Sequence, residues 1–350
     1  MRRGNQAFEI LRPAVACGGS KGEEKNMPCC TVSWKSSLTG SPSGRWQRTR
    51  STTAVFFNIN TLAGLRQEEA EVFAATHRFL FSLVEQGFLQ GLRIDHPDGL
   101  FNPQAYYDRL SAEIRRRLPQ AVTQGSLLPS FYLVAEKILA IYEGLPKEWP
   151  IHGTTGYDFA SLLNGLFVSP EGEKPLTRAY QLCTGRDSAY EENLYAAKRL
   201  IIKAQLAGEL AVLANLLRQI AEQDFQSRDF TLTGLREALT EVVACFPVYR
   251  TYVTPAKVSE EDRRYVDWAV ADAKQRNPMT DPAIFDFVRD CLLLARIFSN
   301  RRGMRSKMAR FAMKFQQYTA PVMAKAQEGS RLPCVTACGR RRRISALSRS

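Results

Sequence analysis

The sequence predicts an α/β chain, a parallel sheet interleaved with helices and joined to a large, mainly helical region. Three observations predict it. Two short apolar runs, at 88–95 and 131–136, each end in a carboxylate. One helix-length segment separates them, and strand, helix, strand in that order is a βαβ unit with parallel strands. Beyond residue 157, amphipathic stretches follow one another with few strand-like runs between them,.

Taken in order, residues 1–55 are rich in Gly, Ser, Thr and Arg and carry no sustained period, so no packed element is predicted there,. From Phe56 the texture changes. A helix is predicted from about Gln67 to Gln86, with Ala70, Phe73, Ala74, His77, Phe81 and Val84 on one face and Gly87 as its stop,. Leu89, Leu92 and Ile94 then suit a short buried strand with Asp95 at its C-terminal end,. A second helix follows over about 103–118, and the run 131–135 makes a second strand that ends at Glu136,. Further helices are predicted near 158–168, 188–223, 232–245, 259–276 and 281–298. Ser259 before Glu260, Glu261 and Asp262, and Asp281 before Pro282, are helix-start signals,.

The formal charge of +13 raises a nucleic-acid reading, which depends on where the charge sits,. Residues 1–55 hold nine Lys/Arg against three Asp/Glu and residues 326–350 six against one, so only two net charges belong to 56–325. A nucleic-acid binder needs its basic groups on a folded face with aromatic interleaving, and this excess lies in tails without it. No apolar run approaches the ~20 residues of a membrane span, and Glu9, Arg12 and Pro13 break the only candidate for a signal peptide,. Neither a nucleic-acid nor a membrane partner is expected. Cys183, Cys245 and Cys291 lie in apolar contexts and read as reduced core cysteines of a cytoplasmic protein,. With three histidines and His77 on an apolar helix face, no metal site is expected,.

The strand-terminal carboxylates carry the chemical signal. A parallel barrel gathers the C-terminal ends of its strands around one mouth, where Asp95 and Glu136 would meet. A retaining glycosidase needs such a pair at roughly 5 Å, one carboxylate ionised as nucleophile and the other protonated as acid. Arg93, two residues before Asp95 on the same strand face, would hold that carboxylate ionised. The apolar run before Glu136 would raise its pKa unless Lys137 opposes this. From spacing alone a second reading stands beside this one: a helix-capping Asp and a structural Arg–Asp pair.

The segment GLRIDHPDGLFNPQAYYDRL (91–110) resembles the nucleophile strand of maltooligosyltrehalose synthases, a branch of the α-amylase-like family 13 glycoside hydrolases. FYLVAEKIL (131–139) is similar to their acid/base strand, and LPKEWPIHGTTGYDF (145–159) to a stretch typical of the branch. Weaker matches extend the resemblance over 56–325. It implies an incomplete (β/α)8 barrel with a large, mainly helical insertion: 56–157 in the barrel, 158–310 inserted, 311–325 returning to the barrel. It implies Asp95 as nucleophile, Glu136 as acid/base, and Arg93, His96 and Tyr157 as substrate-binding residues, with Trp149 either stacking on sugar or packed in the core. The substrate would be a maltooligosaccharide whose reducing-end α-1,4 bond becomes an α,α-1,1 bond, with no cofactor.

The resemblance also fails in two places. Nothing in 1–55 resembles the family's early strands, and residues 326–350 contain no Asp or His to supply a third carboxylate. Both ends therefore read as disordered or out-of-frame segments, and the chain as truncated, weakly active or inactive, with exposed strand edges and core faces. The alternatives are an α-amylase-like glucan hydrolase or transferase, and a non-catalytic α-glucan-binding remnant.

Overall fold

A computed structural model describes residues 64–118, 131–185, 190–295 and 302–328. The expectations for residues 1–55 and for the basic tail beyond Glu328 lie outside these, as do Cys17, Cys29, Cys30, Cys334 and Cys338.

Helix α1 (Ala70–Glu85) forms because Phe73, His77, Phe81 and Val84 recur at helical spacing and bury one stripe,. Ala70 and Ala74, expected on that stripe, are exposed. The helix stops where Gly87 takes φ +73°, a left-handed conformation that costs glycine little,. Strand β1 (Gly91–Ile94) leads through a 3-10 turn (Pro97–Gly99) into α2 (Pro103–Arg117). Asn102 caps α2 by accepting from the Ala105 amide at 3.1 Å, Pro103 presets its first turn, and three arginines close its last,. Strand β2 (Tyr132–Ala135) follows, then a two-residue strand β3 (Gly153–Thr154) that no apolar run announces. The sheet order is β1-β2-β3 and both pairings are parallel, with Ile94 opposite Ala135 and Ala135 opposite Thr154. Gly91 permits the closest approach, since a Cβ there would stand 2.6 Å from the Tyr132 carbonyl oxygen,. One core joins this unit: Phe73, Phe81 and Val84 from α1, Tyr107, Leu110 and Ile114 from α2, Leu133 and Ala135 from β2, and Trp149.

The remaining elements are helices: α3 (Tyr157–Gly165), α4 (Glu173–Thr184), α5 (Tyr190–Ala204), α6 (Ala207–Ala221), α7 (Leu232–Ala244), α8 (Glu260–Arg276), α9 (Pro282–Leu292) and α10 (Arg302–Glu328). The chain is thus mostly helical with a small parallel sheet, which is the coarser part of the expected α/β architecture.

Several details differ from expectation. Within the stretch read as 188–223 lie two helices, Tyr190–Ala204 and Ala207–Ala221, bent by 86°; between them Leu206 leaves helical geometry, and its carbonyl accepts both the Leu210 amide at 3.2 Å and the Tyr318 hydroxyl at 3.0 Å. Helix α9 stops early because Leu294 turns left-handed at φ +53° and the Ala295 amide closes back on Asp290,. Helix α4 lies outside the stretches predicted to be helical, and Cys183 on it is exposed, unlike the buried Cys245 and Cys291. The expected boundary between 310 and 311 falls inside α10, one continuous helix across it. The Ser259 and Asp281 caps form as read, and Asp262 completes the first into a capping box,.

Helices α5 to α10 share a second core that includes Ile202, Leu217, Leu239, Val270, Phe285 and Phe315. No single described helix is long and apolar enough to cross a membrane. Helices α3 and α4 stand apart from this packing: α3 buries none of its residues, and Phe159, Leu166, Phe167, Leu176 and Leu182 are all exposed.

Two stability predictions follow from these contrasts. Phe315→Ala, at a fully buried ring, costs about 3 to 5 kcal/mol in urea unfolding, whereas Phe167→Ser at an 84% exposed ring changes it by less than about 0.5 kcal/mol,. Lys198 is buried among α5 and its neighbours with its ammonium donating to the Phe246 carbonyl at 2.7 Å, and burial lowers its pKa from 10.5 to about 8. The unfolded chain therefore holds a proton that the folded chain has released between about pH 8 and 10.5, so this group makes stability rise with pH across that window, by about 3 kcal/mol in total,. Lys198→Met flattens that rise; an unchanged slope in urea titrations at pH 8, 9 and 10 refutes the assignment.

Candidate active site

Parallel pairing puts the C-terminal ends of all three strands on one edge. The register that sets Ile94 against Ala135 continues to bring Asp95 level with Glu136, and the Glu136 amide donates to the Ile94 carbonyl at 2.8 Å. Alternation along β1 sends Leu92 and Ile94 toward the core and Arg93 and Asp95 to the other face,. Arg93 then spans the two carboxylates. Its Nη1 lies 2.8 Å from Asp95 Oδ1 and its Nη2 3.2 Å from Glu136 Oε1. The two carboxyl groups are close enough to share a hydrogen bond. That bond, above all, holds Asp95 below its usual range; burial opposes it, and Arg93 adds to the lowering through its hydrogen bond and its charge,.

Two more donors converge on Glu136. The His96 backbone amide reaches Oε2 at 3.0 Å, and the Tyr157 hydroxyl reaches Oε1 at 3.2 Å from the first turn of α3. His96 makes its bond by adopting φ 45° and ψ 53°, a left-handed conformation that costs a non-glycine residue roughly 1 to 2 kcal/mol,. Its ring folds against Gly99. All five residues expected at the site, Arg93, Asp95, His96, Glu136 and Tyr157, therefore meet at one strand edge. The side chain of Asp95 is 72% exposed and that of Glu136 only 25%, so the first faces solvent and the second is recessed. Trp149 does not line the site; it is buried between the rings of Tyr107 and Tyr252. His77 is a core residue, bonded through Nδ1 to the Phe73 carbonyl and through Nε2 to the Tyr106 hydroxyl.

Lys137 does not face Glu136. Alternation turns it to the opposite side, where its ammonium, with no exposed surface, lies 3.1 Å from Asp98 Oδ2 and 2.8 Å from Glu143 Oε1. The Tyr252 hydroxyl donates to Asp98 Oδ1, and Arg250 Nη1 donates to the carbonyls of Asp98 and Leu100 at 2.7 and 2.6 Å. Burial works against charge on Asp98, but Lys137 and Arg250 outweigh it and keep its pKa low. Sequence reasoning missed this cluster. A lone arginine in the apolar run 246–253 was its available signal,.

Arg93→Met is expected to move the Asp95 titration upward by about half a unit or more, read from side-chain carboxyl carbon shifts. An unmoved midpoint contradicts Arg93's part in holding Asp95 ionised.

No family model matches the chain. A putative maltooligosyl trehalose synthase of Mycobacterium tuberculosis is 41% identical over 122 residues, which are 35% of this chain and 14% of that protein. Among solved structures, the maltooligosyltrehalose synthase of Arthrobacter ramosus aligns with TM-score 0.62 and 30% identity over 79% of this chain. A maltooligosyl trehalose synthase described as hypothetical from Sulfolobus tokodaii aligns with TM-score 0.55 and 26% identity over 80%. The chain spans only 31% and 30% of the lengths of these two relatives. The chain is thus similar to maltooligosyltrehalose synthases, in fold over 79% of its length and to the curated relative in sequence over 35%.

Proposed function

We propose that the Asp95–Glu136 edge is the reacting centre of a retaining transglycosylation on maltooligosaccharides, a reading in keeping with relatives named as maltooligosyltrehalose synthases. The observation that carries this reading is the carboxylate pair at the ends of adjacent parallel strands, bridged by one arginine. The direction of the Asp95 shift favours the division of roles: the exposed carboxylate is the one held ionised, as a nucleophile must be, and the recessed Glu136 is its partner acid,. Asp95 would attack the anomeric carbon at the reducing-end linkage while Glu136 gives its proton to the departing glucose oxygen. Glu136 would then take the proton from the anomeric hydroxyl of that same glucose as its oxygen attacks the anomeric carbon held by Asp95, breaking the glycosyl–Asp95 ester, freeing the Asp95 carboxylate and closing an α,α-1,1 bond. Tyr157, bonded to Glu136, and His96, whose amide bonds it, are candidate contacts to sugar hydroxyls.

The same reading takes the three strands as an arc of a (β/α)8 barrel over 56–157, with the helices over 158–310 as an insertion whose last helix carries the chain on through 311–325. It also takes this chain as a part of the relatives' machinery with weak activity or none by itself.

The test is incubation of the purified chain with maltopentaose, scoring loss of reducing ends without release of glucose. Turnover that Asp95→Asn lowers by about a thousandfold or more supports the reading. Release of glucose instead points to a hydrolase, and saccharide binding without any conversion to a non-catalytic module.

A further inference from the structure

We infer that Lys137 is the positioning residue of this site: the buried cluster it makes with Asp98, Glu143, Arg250 and Tyr252 sets the separation of Asp95 and Glu136. The inference rests on the reading of those two carboxylates as the reacting pair. Three observations support it.

The first is connectivity. Asp98 lies three residues after Asp95 in the same turn, and Lys137 directly follows Glu136, so the Lys137–Asp98 ion pair ties together the two segments that carry the carboxylates. Tyr252 and Arg250 pin the Asp98 turn from a segment more than 150 positions away, through both its side chain and its main chain. The second is charge. Lys137 and Arg250 balance Asp98 and Glu143, and every one of the four is almost fully buried. Buried ion pairs of this kind add little stability over apolar packing of the same volume, because desolvation cancels most of the attraction. What they do supply is a single permitted geometry, since a displaced partner leaves an uncompensated charge. The third is strain. The left-handed His96 lies between Asp95 and Asp98, and such a conformation persists where surrounding bonds over-determine it,. Its amide is the donor that reaches Glu136 Oε2.

The experiment follows the Asp95 carboxyl titration by carbon NMR in the full chain, with circular dichroism to confirm folding. The charge-neutral double variant Lys137→Met/Asp98→Asn removes the tie without changing net charge, so a shift cannot come from a lost positive charge alone. We expect the Asp95 midpoint to rise by about half a unit or more as Glu136 and Arg93 move out of register with it. A folded double variant that is less stable but titrates as the parent does overturns the inference, leaving the cluster a fold element only. Should the double variant fail to fold, Tyr252→Phe, which removes one bond to Asp98 and no charge, is judged by the same criterion. The titration needs no turnover, so it decides the positioning whether or not the chain converts maltopentaose: the shift without conversion leaves the positioning standing, and conversion without the shift overturns the positioning while leaving the catalytic reading in place.

Discussion

A lysine ammonium with no exposed surface has to find its counter-charges inside the protein, and Lys137 finds them in Asp98 and Glu143,. That requirement reaches across the whole fold. Asp98 brings the turn after β1, Glu143 brings the segment between β2 and β3, and Arg250 and Tyr252 bring the segment that follows α7. The helical core and the sheet core are distinct apolar clusters; this polar group joins the segments that carry them, alongside apolar contacts such as that of Ile138 with Tyr249, Met323 and Ala324. Tyr252 takes part in both arrangements, since its ring packs on Trp149 in the sheet core while its hydroxyl serves Asp98. Gln317 of α10 adds a bond to the Gly99 carbonyl at 2.9 Å, so the longest helix also touches the turn.

Around that joint the site is assembled by two simple geometric facts. Parallel register sets the strand ends side by side, and the two-residue alternation sends Arg93 and Asp95 to one face while Leu92 and Ile94 anchor the other,. The same alternation sends Glu136 and Lys137 in opposite directions, so one residue serves the exposed edge and the next serves the interior.

Much of this was legible in the sequence because it is local. The apolar runs ending in Asp95 and Glu136, the Gly87 stop and the Ser259 capping box each depend on residues a few positions apart. What was not legible depends on distance or on very little chain. Strand β3 has two residues and no apolar pattern, so only pairing with β2 defines it. The break between α5 and α6 has one of its hydrogen-bond partners in Tyr318, more than a hundred residues on. Glu136 was expected to have Lys137 as an opposing neighbour; its neighbours are Arg93, Tyr157 and the His96 amide, and none of these is adjacent in sequence. Trp149, equally suited to sugar stacking and to the core, went to the core because Tyr107 and Tyr252 enclose it.

The unburied face of α3 and α4 has a calorimetric consequence. Leu166, Phe167, Leu176 and Leu182 are already hydrated in the folded chain, so unfolding wets little new surface there. The heat-capacity increment, which tracks newly wetted apolar area, should then fall below the usual value of about 12 to 15 cal/mol/K per residue. A smaller increment flattens the curve of stability against temperature, and it makes the unfolding enthalpy of this chain less sensitive to temperature than that of a fully packed chain of equal length.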